Sequence, residues 1–165
     1  MSENRHNLVA NEPFPMARIR RAVVADAAEI ARLAAQFEHP VLLKDLCVRI
    51  AALEELPAQQ LLVAEDPGGA LLGWIQVERR LSVTAGERAE IVGLTVDAAA
   101  RRRGIGTLLV NAAQQWACAV HLGEVVVRSN VMRDASHVFY LARGFSRVKT
   151  QHIYGKMLLG LQQRQ

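Results

Sequence analysis

The apolar residues near the start of the chain recur first at the spacing of a strand and then at that of a helix. Residues 17–24 predict a first strand. The next apolar residues repeat every three or four positions, which marks one face of a helix: Ile30, Leu33, Ala34 and Phe37. Asp26 and Glu29 have the spacing of a capping box at the start of this helix. Pro40 ends it, and a second helix is predicted over 44–56 with an apolar face of its own: Leu46, Ile50 and Leu53.

The middle of the chain has the pattern of a hairpin followed by a further strand. Two apolar runs, 61–65 and 71–80, flank the turn sequence Asp66-Pro67-Gly68-Gly69. Apolar runs on either side of a Pro- and Gly-containing turn predict a β-hairpin. Residues 84–88 are polar and predict a loop, and 89–97 predict a strong strand.

The remaining pattern predicts a long helix and then short elements. The long helix spans 104–119, and its inward face is predicted to carry Ile105, Leu108, Leu109, Ala112 and Trp116. A buried strand is predicted over 124–128, a helix over 135–143 that Gly144 stops, and two last strands: 145–149 and 152–158. The central strand, helix and strand form a βαβ crossover, which makes part of the sheet parallel. We therefore predict a single α/β domain with a mixed, mostly antiparallel sheet flanked by helices.

Length and composition limit the classes of protein. The chain of 165 residues suits one domain, predicted over 16–160 behind a disordered leader at 1–15 and before a tail at 161–165, with Met16 as an alternative start. A secretory pattern and an apolar run long enough to span a membrane are both absent from the sequence. The two cysteines, Cys47 and Cys118, have apolar neighbours and are predicted to be core thiols. These features predict a cytoplasmic protein that does not use a membrane.

The segment 90–107, between the central strand and the long helix, carries the most informative chemistry. The N-terminus of a helix exposes unpaired N–H groups and a positive dipole end, which together bind phosphate oxygens. Gly104 and Gly106 lack a Cβ and allow a phosphate to approach the backbone, and the arginine run at 101–103 adds cationic donors. The spacing matches neither a P-loop nor a dinucleotide fingerprint. The residues predict a pyrophosphate cradle, with a tight turn bearing solvated arginines as the alternative.

Two motifs in this order resemble those of the GNAT family of N-acetyltransferases. Arg101-x-x-Gly104-x-Gly106, after the strand at 91–96, is similar to the acetyl-CoA motif of the family, and the segment Phe139-Tyr140-Leu-Ala-Arg-Gly144-Phe145 resembles a second motif. The resemblance covers nearly everything after the leader. It implies a GNAT-like fold that transfers an acetyl group from acetyl-CoA to a primary amine by direct attack. A CoA-binding regulatory module without catalysis is the alternative.

The resemblance also implies which residues hold CoA. The backbone amides from 102 to 107 would bind the pyrophosphate, and the pantetheine arm would lie along the strand, which would splay from 125–127. The implied contacts are Leu94, Thr95, Val96, Arg101, Arg102, Arg103, Gly104, Ile105, Gly106 and Thr107. The N–H of Leu94 would polarise the thioester carbonyl as an oxyanion hole. Where relatives often carry an asparagine this chain has Arg133, so Arg133 is expected to reach a CoA phosphate and Asn130 to take the role of the amide.

Two side chains are candidates for moving protons. Because an alkylammonium has a pKa near 10.4, only about 1 in 10³ amines is a free base at pH 7. The resemblance assigns the base to Glu90, directly or through water, and the general acid to Tyr140. The alternatives are a solvent-exposed glutamate at a strand end and an aromatic ring that only packs beside Phe139. His137 lies one turn before Tyr140, and the other histidines show no metal-ligand spacing, so no metal is predicted.

The sequence leaves the acceptor open. The first two helices, their loop at 38–45 and the last hairpin at 149–154 are expected to contact it. Four acidic residues in this region suit a cationic amine: Glu38, Asp45, Glu54 and Glu55. Aminoglycosides, polyamines, peptide N-termini and lysines all remain candidates. A homodimer is an open expectation, since dimers are common in the family. The net charge of +4 is too small to indicate nucleic acid, and the arginine clusters lack interleaved aromatic residues.

Overall fold

The computed structural model describes residues 17–37 and 40–158. The predicted leader and tail lie outside the described residues, as do Glu38 and His39. The chain forms two compact units that meet in sequence between Arg128 and Ser129. The helices and strands are β1 Arg18–Arg21, α1 Ala27–Ala35, α2 Leu43–Glu54, β2 Gln59–Glu65, β3 Leu71–Ser82, β4 Gly86–Val96, α3 Ile105–Ala119, β5 Val125–Val127 and α4 Asp134–Leu141, with 3₁₀ turns at Val24–Asp26 and Ala98–Ala100.

The first unit is built on a five-stranded sheet with the order β1-β2-β3-β4-β5. The first four strands pair antiparallel in sequence order. β5 pairs parallel with β4, and α3 connects these two strands. The predicted fold class, a mixed and mostly antiparallel sheet with a central βαβ crossover, is confirmed. No helix within 17–37 and 40–158 is long and apolar enough to span a membrane.

Helices pack on both faces of this sheet. The cluster under α1 and α2 includes Ile30, Leu33, Ile50 and Val63, with Trp74 of β3 packed against it. The opposite face of β3 contacts α3, where a Cβ at Gly73 would lie 3.2 Å from Leu109 Cδ1 and 2.5 Å from Thr95 O. Only glycine fits between β4 and α3 at that point.

The inward face of α3 differs from the prediction. The buried residues are Ile105, Leu109, Val110, Ala113 and Ala117. Leu108 is 40% exposed, and Ala112 and Trp116 are half-buried. The buried stripe runs through the small residues Ala113 and Ala117 because small side chains let the helix axis approach the sheet, whereas the prediction followed the larger side chains.

The predicted loop at 84–88 is wrong at its C-terminal end. β3 and β4 turn at residues 83–85, and β4 already begins at Gly86. Polar residues form a strand here because charged side chains pair across it: Arg79 Nε donates to Glu87 Oε1 at 2.9 Å. Such cross-strand pairs stabilise a ladder whose face is open to solvent.

The predicted capping box is also wrong. Asp26 accepts two hydrogen bonds from the guanidinium of Arg20, at 2.7 and 2.9 Å, and one from the N–H of Val23. Glu29 instead accepts a hydrogen bond from Arg32 at 3.0 Å. The Asp26 side chain is therefore used to hold the end of β1 against the start of α1, and Arg20 lowers the pKa of the Asp26 carboxyl.

Two further predictions fail in the second half of the chain. Over 145–158, all within the described part, the structure has no strand where two were predicted. An alternating sequence becomes a strand only when another strand pairs with it, and the pattern alone does not supply that partner. Cys118 is exposed and Cys47 only partly buried, so neither is a fully buried core thiol.

Candidate active site

One edge of β4 is open along its C-terminal half. β5 pairs with β4 only over Ala89–Ile91, whereas β3 follows β4 as far as Val96. From Val92 onward, the edge of β4 that faces away from β3 has no strand partner among the described residues. An open strand edge presents N–H and C=O groups that an extended ligand can pair with.

A β-bulge at Val92 decides which backbone groups face that open edge. The N–H of Ala89 donates to Glu124 O at 2.9 Å, on the β5 side, and the N–H of Asp97 donates to Leu72 O at 2.8 Å, on the β3 side. Along a regular strand these two N–H groups would point the same way, because successive residues alternate. The register shift between β3 and β4 places one extra residue at Val92, which reverses the alternation.

Beyond the bulge, the N–H groups of Leu94 and Val96 therefore point to the open edge. The Val96 carbonyl is at the same edge, where Arg101 Nε lies 3.5 Å away. Thr95 is buried and its main chain faces β3. Of the three residues predicted to run along pantetheine, two present backbone donors to the open edge and Thr95 does not.

The turn from β4 into α3 has two left-handed residues. Arg102 has φ 62° and Gly104 has φ 84°. Left-handed backbone in a non-glycine residue costs about 1 kcal/mol or more and is concentrated at functional sites. Gly104 is the N-cap of α3, and apart from its own chain neighbours no atom of the described residues lies within 4 Å of where its Cβ would be. The N-terminus of α3 therefore opens onto free space, as a phosphate-binding helix end requires.

Helix α1 braces this turn from the other side. Arg32 NH1 lies 2.7 Å from Asp97 Oδ2, and Asp97 Oδ1 accepts the N–H of Ala99 at 2.9 Å. Gln36 Oε1 accepts the N–H of Ala98 at 2.9 Å. Arg32 lowers the pKa of the Asp97 carboxyl through this hydrogen bond. Asp97 thus joins the helix to the turn that leads into the cradle.

The arginine run is not uniform in its contacts. The Arg101 guanidinium lies 4.8 Å from the centroid of the ring of Phe37, which follows the C-cap of α1. Residues 101–104 are all exposed to solvent. The Arg101 guanidinium therefore contacts Phe37 and the Val96 carbonyl. The prediction that all three arginines surround the same point does not describe Arg101, whose guanidinium lies against the segment that follows α1.

Replacing Asp97 with Ala is expected to weaken CoA binding about tenfold, because the turn loses its cap and its link to Arg32. Loss of a cap costs about 1 kcal/mol. Asp97→Asn, which keeps an oxygen for the N–H of Ala99, should lose less. Isothermal titration with CoA measures both, and equal affinity for Asp97→Ala and the unchanged protein would contradict the bracing role.

Glu90 is buried among three arginines. The residue is 3% exposed. Arg128 Nε lies 2.9 Å from its Oε1, and Arg80 Nε and Arg88 NH2 lie 3.6 and 3.7 Å from its Oε2. Oε2 is buried without a hydrogen-bond partner in the described part of the chain. The alternative of a solvent-exposed glutamate at a strand end is wrong.

The sequence reasoning missed these three arginines. The signal was present in the spacing of two, since Glu78-x-Arg80 and Arg88-x-Glu90 each place an opposite charge on the same face of a strand. Assigning 84–88 to a loop removed Arg88 from the strand and hid the pattern. Arg128 follows β5 and reaches Glu90 only through the parallel pairing of β5 with β4.

Tyr140 belongs to the second unit and lies between two phenylalanine rings. Its ring meets those of Phe139 and Phe145 edge to face, with centroids 5.1 and 5.4 Å apart. Burial raises the pKa of Tyr140 to about 12, and Arg143 opposes this in part. The phenol is therefore protonated throughout the neutral range, as a proton donor must be. Arg143 stacks on Phe139 with its guanidinium carbon 3.6 Å from the ring centroid.

Asn130, which was predicted to contact pantetheine, makes its hydrogen bonds within its own loop. Asn130 Oδ1 accepts the N–H of Met132 at 2.9 Å, and the Asn130 carbonyl lies 3.0 Å from His137 Nε2. His137, one turn before Tyr140 on α4, thus makes its hydrogen bond within the loop. Arg133 is the exposed N-cap residue of α4. No group of three or more His, Cys, Asp or Glu side chains in the described ranges is placed to hold a metal.

The comparisons with known proteins agree with this geometry. The model of the acetyltransferase (GNAT) family matches residues 24–145. Most of the chain is covered, and the chain therefore belongs to the GNAT family. By class it is an acetyl-CoA-dependent N-acetyltransferase.

Known proteins are similar to this chain in sequence or in fold. An aminoglycoside N(6')-acetyltransferase type 1 of Klebsiella aerogenes is 32% identical over 100 residues, which are 59% of this chain and 66% of that enzyme. The aminoglycoside N-acetyltransferase AAC(6')-Iy in complex with CoA has a TM-score of 0.77 at 17% identity, covering 86% of this chain and 95% of that one. The glucosamine-6-phosphate N-acetyltransferase of Arabidopsis thaliana has a TM-score of 0.73 at 17% identity, covering 85% and 98%. At this identity the two structures show a shared fold.

Proposed function

We propose that the protein transfers an acetyl group from acetyl-CoA to a primary amine by direct nucleophilic attack. The observation that carries the proposal is the open edge of β4, which leads through the turn at 97–104 to the N-terminus of α3, whose N-cap is Gly104 and which has no side-chain cap. A long, thin ligand with a pyrophosphate part-way along it suits a strand edge that ends at a helix N-terminus.

The CoA contacts follow from this arrangement. The N–H of Val96 would pair with an amide of pantetheine, the N–H of Leu94 would face the thioester carbonyl, and the first N–H groups of α3, at Ile105 and Gly106, would hold the pyrophosphate. The exposed arginines at 101–103 would add charge near the phosphates. These assignments are supported by the motif of the family and by the free space above Gly104.

Glu90 would take the proton of the amine. The amine nitrogen attacks the thioester carbonyl carbon and loses a proton to the carboxylate, directly or through one water, while the N–H of Leu94 stabilises the oxyanion. The C–S bond then breaks and the amide forms. Oε2 of Glu90 supports this role, because it lies near Arg80 and Arg88 but accepts no hydrogen bond from the described residues and so keeps its lone pairs for a proton. The ion pair between Arg128 and Oε1 holds the carboxylate in place.

Tyr140 would donate a proton to the departing thiolate. Its place in the second motif of the family supports the assignment, and its raised pKa keeps the phenol protonated. A proton donor of this kind contributes roughly 10²–10⁴-fold in rate.

The fold leaves the charge of the acceptor open. An aminoglycoside is a polycation and glucosamine-6-phosphate carries an anionic group, yet enzymes for both share this fold. The sequence relative acts on an aminoglycoside. The acceptor of this protein is therefore proposed as a primary amine, with its further chemistry to be read from the residues around the site.

The test of the proposal is release of free CoA thiol from acetyl-CoA across a panel of primary amines. Glu90→Gln should lower kcat by roughly 10²–10⁴-fold at pH 7, and the loss should shrink as rising pH deprotonates the amine without help. Glu87→Gln is the matched control, since Glu87 lies on the same strand, is exposed and pairs with Arg79.

Melting temperatures of both variants must accompany the rates, because Glu90→Gln leaves three arginines without their central carboxylate. A folded Glu90→Gln protein that matches the unchanged protein at every pH would remove Glu90 from the chemistry. Binding of CoA without thiol release from any amine would favour a regulatory module.

A further inference from the structure

The charged residues around Glu90 form one continuous surface, here called the arginine cluster: Glu78, Arg80, Arg88, Glu90 and Arg128. In the register of the sheet, Glu78 lies opposite Glu90 and Arg80 lies opposite Arg88. All four alternate with the residues that face α3, so they share the other face. Arg128 lies near them because it directly follows β5, and β5 pairs with β4 at Glu90.

We propose that the acceptor carries an anionic group, a carboxylate or a phosphate, beside its primary amine, and that Arg80, Arg88 and Arg128 bind this group. The inference rests on the proposed function, because Glu90 as the base places the amine of the acceptor next to the arginine cluster. It adds the chemical class of the acceptor.

The charge balance of the cluster favours an anion. Three guanidinium groups face two carboxylates, which leaves one positive charge in excess. Like charges directly opposite each other on neighbouring strands destabilise a sheet. Glu78 and Glu90 are one such pair, which the three guanidinium groups beside it compensate, and Arg80 and Arg88 are another. A bound carboxylate or phosphate between them would compensate this repulsion.

Hydrogen-bond donors are also in excess. A guanidinium has five N–H groups in a planar fork that suits carboxylate and phosphate oxygens. Arg88 Nε is buried without a hydrogen-bond partner in the described residues. The side chains of Arg80 and Arg128 are 46% and 49% exposed, so their outer N–H groups are reachable by a ligand.

The neighbouring arginine on β3 shows the contrast. Arg79 points to the opposite face and is satisfied by Glu87 through two hydrogen bonds. The nearest carboxylate oxygens to Arg80 are 3.4 and 3.6 Å away and belong to Glu78 and Glu90. Two adjacent arginines of one strand thus differ in the face on which they lie and in how completely a carboxylate of the same chain pairs with them.

The experiment compares matched amines that differ in charge. O-phosphoethanolamine is tested against ethanolamine, and β-alanine against β-alaninamide, with spermidine as a cationic acceptor. We expect kcat/KM to be at least about tenfold higher for the anionic member of one pair, and which pair responds distinguishes phosphate from carboxylate. Equal rates within both pairs, or a preference for spermidine, would overturn the inference and leave the acetyl transfer intact.

Two variants locate the effect. Arg80→Gln should raise KM for the preferred anionic amine about tenfold more than it raises KM for the neutral analogue, so that the preference for the anionic member of the pair shrinks or disappears. Because Arg80 also contacts Glu90, any change common to both amines is attributed to the base and not to the anion site. Arg79→Gln is the matched control and should change neither amine. If both variants act alike, general charge rather than the arginine cluster is responsible, and the inference fails. Melting temperatures check that each variant is folded.

A binding measurement separates this inference from the transfer reaction. Titration of the CoA-loaded protein with O-phosphoethanolamine and with β-alanine is followed by calorimetry. The protein could bind O-phosphoethanolamine or β-alanine, lose this binding in Arg80→Gln, and yet release no thiol with any amine. That result would support the anion site and reject the transfer reaction. Neither binding nor turnover would reject both.

Discussion

Replacing Tyr140 with Phe is expected to lower kcat by roughly 10²–10⁴-fold while the affinity for CoA stays nearly the same. The change removes one oxygen and keeps the ring, whose edge-to-face contacts with Phe139 and Phe145 position it. The loss should therefore appear in the chemical step and not in binding. Rates of thiol release at saturating acetyl-CoA, together with a CoA titration, measure the two effects separately.

The same variant tests the protonation state of the Tyr140 phenol. Because burial raises the folded pKa of Tyr140 from 10 to about 12, this group stabilises the fold below pH 10, and the contribution is lost as pH rises through about 12. The difference in phenolate absorbance between the unchanged protein and Tyr140→Phe isolates this titration, since the chain has two tyrosines. A difference curve centred at pH 10 or below, or full activity of Tyr140→Phe, would contradict the assignment.

Replacing Gly104 with Val is expected to reduce the affinity for CoA by about 100-fold or more. A side chain there would occupy the space above the N-terminus of α3, and loss of one or two hydrogen bonds to a charged phosphate costs about 1.5–3 kcal/mol each. The φ of 84° also strains any β-branched residue, so the melting temperature should fall by a few degrees.

Gly69→Val separates strain from binding. Gly69 has φ 88°, with nothing in the described residues within 4 Å of its Cβ position, and it lies in the turn between β2 and β3. It should lose comparable stability and keep its affinity for CoA. Gly104→Val that binds CoA as tightly as Gly69→Val would show that the phosphate does not approach α3 at Gly104.

The local pattern of the sequence determined the order of most elements and the place of the glycine-containing turn where the cradle is proposed. Helix α2, the hairpin of β2 and β3, and the start of α3 follow from the spacing of apolar residues and from glycines, which act over a few neighbours. Arg101-x-x-Gly104-x-Gly106 was recognisable because a phosphate-binding helix start needs small residues at fixed positions along one segment.

The tertiary structure decided what depends on pairing between distant segments. The last two predicted strands require a partner that an alternating pattern does not provide. The β-bulge at Val92 arises from a one-residue register shift between β3 and β4. This shift reverses the alternation of backbone N–H groups and so turns the N–H of Leu94 toward the open edge. Glu90 and Arg128 are 38 positions apart, and they meet because β5 returns parallel to β4. Contacts of this kind depend on register across the sheet, which no local spacing encodes.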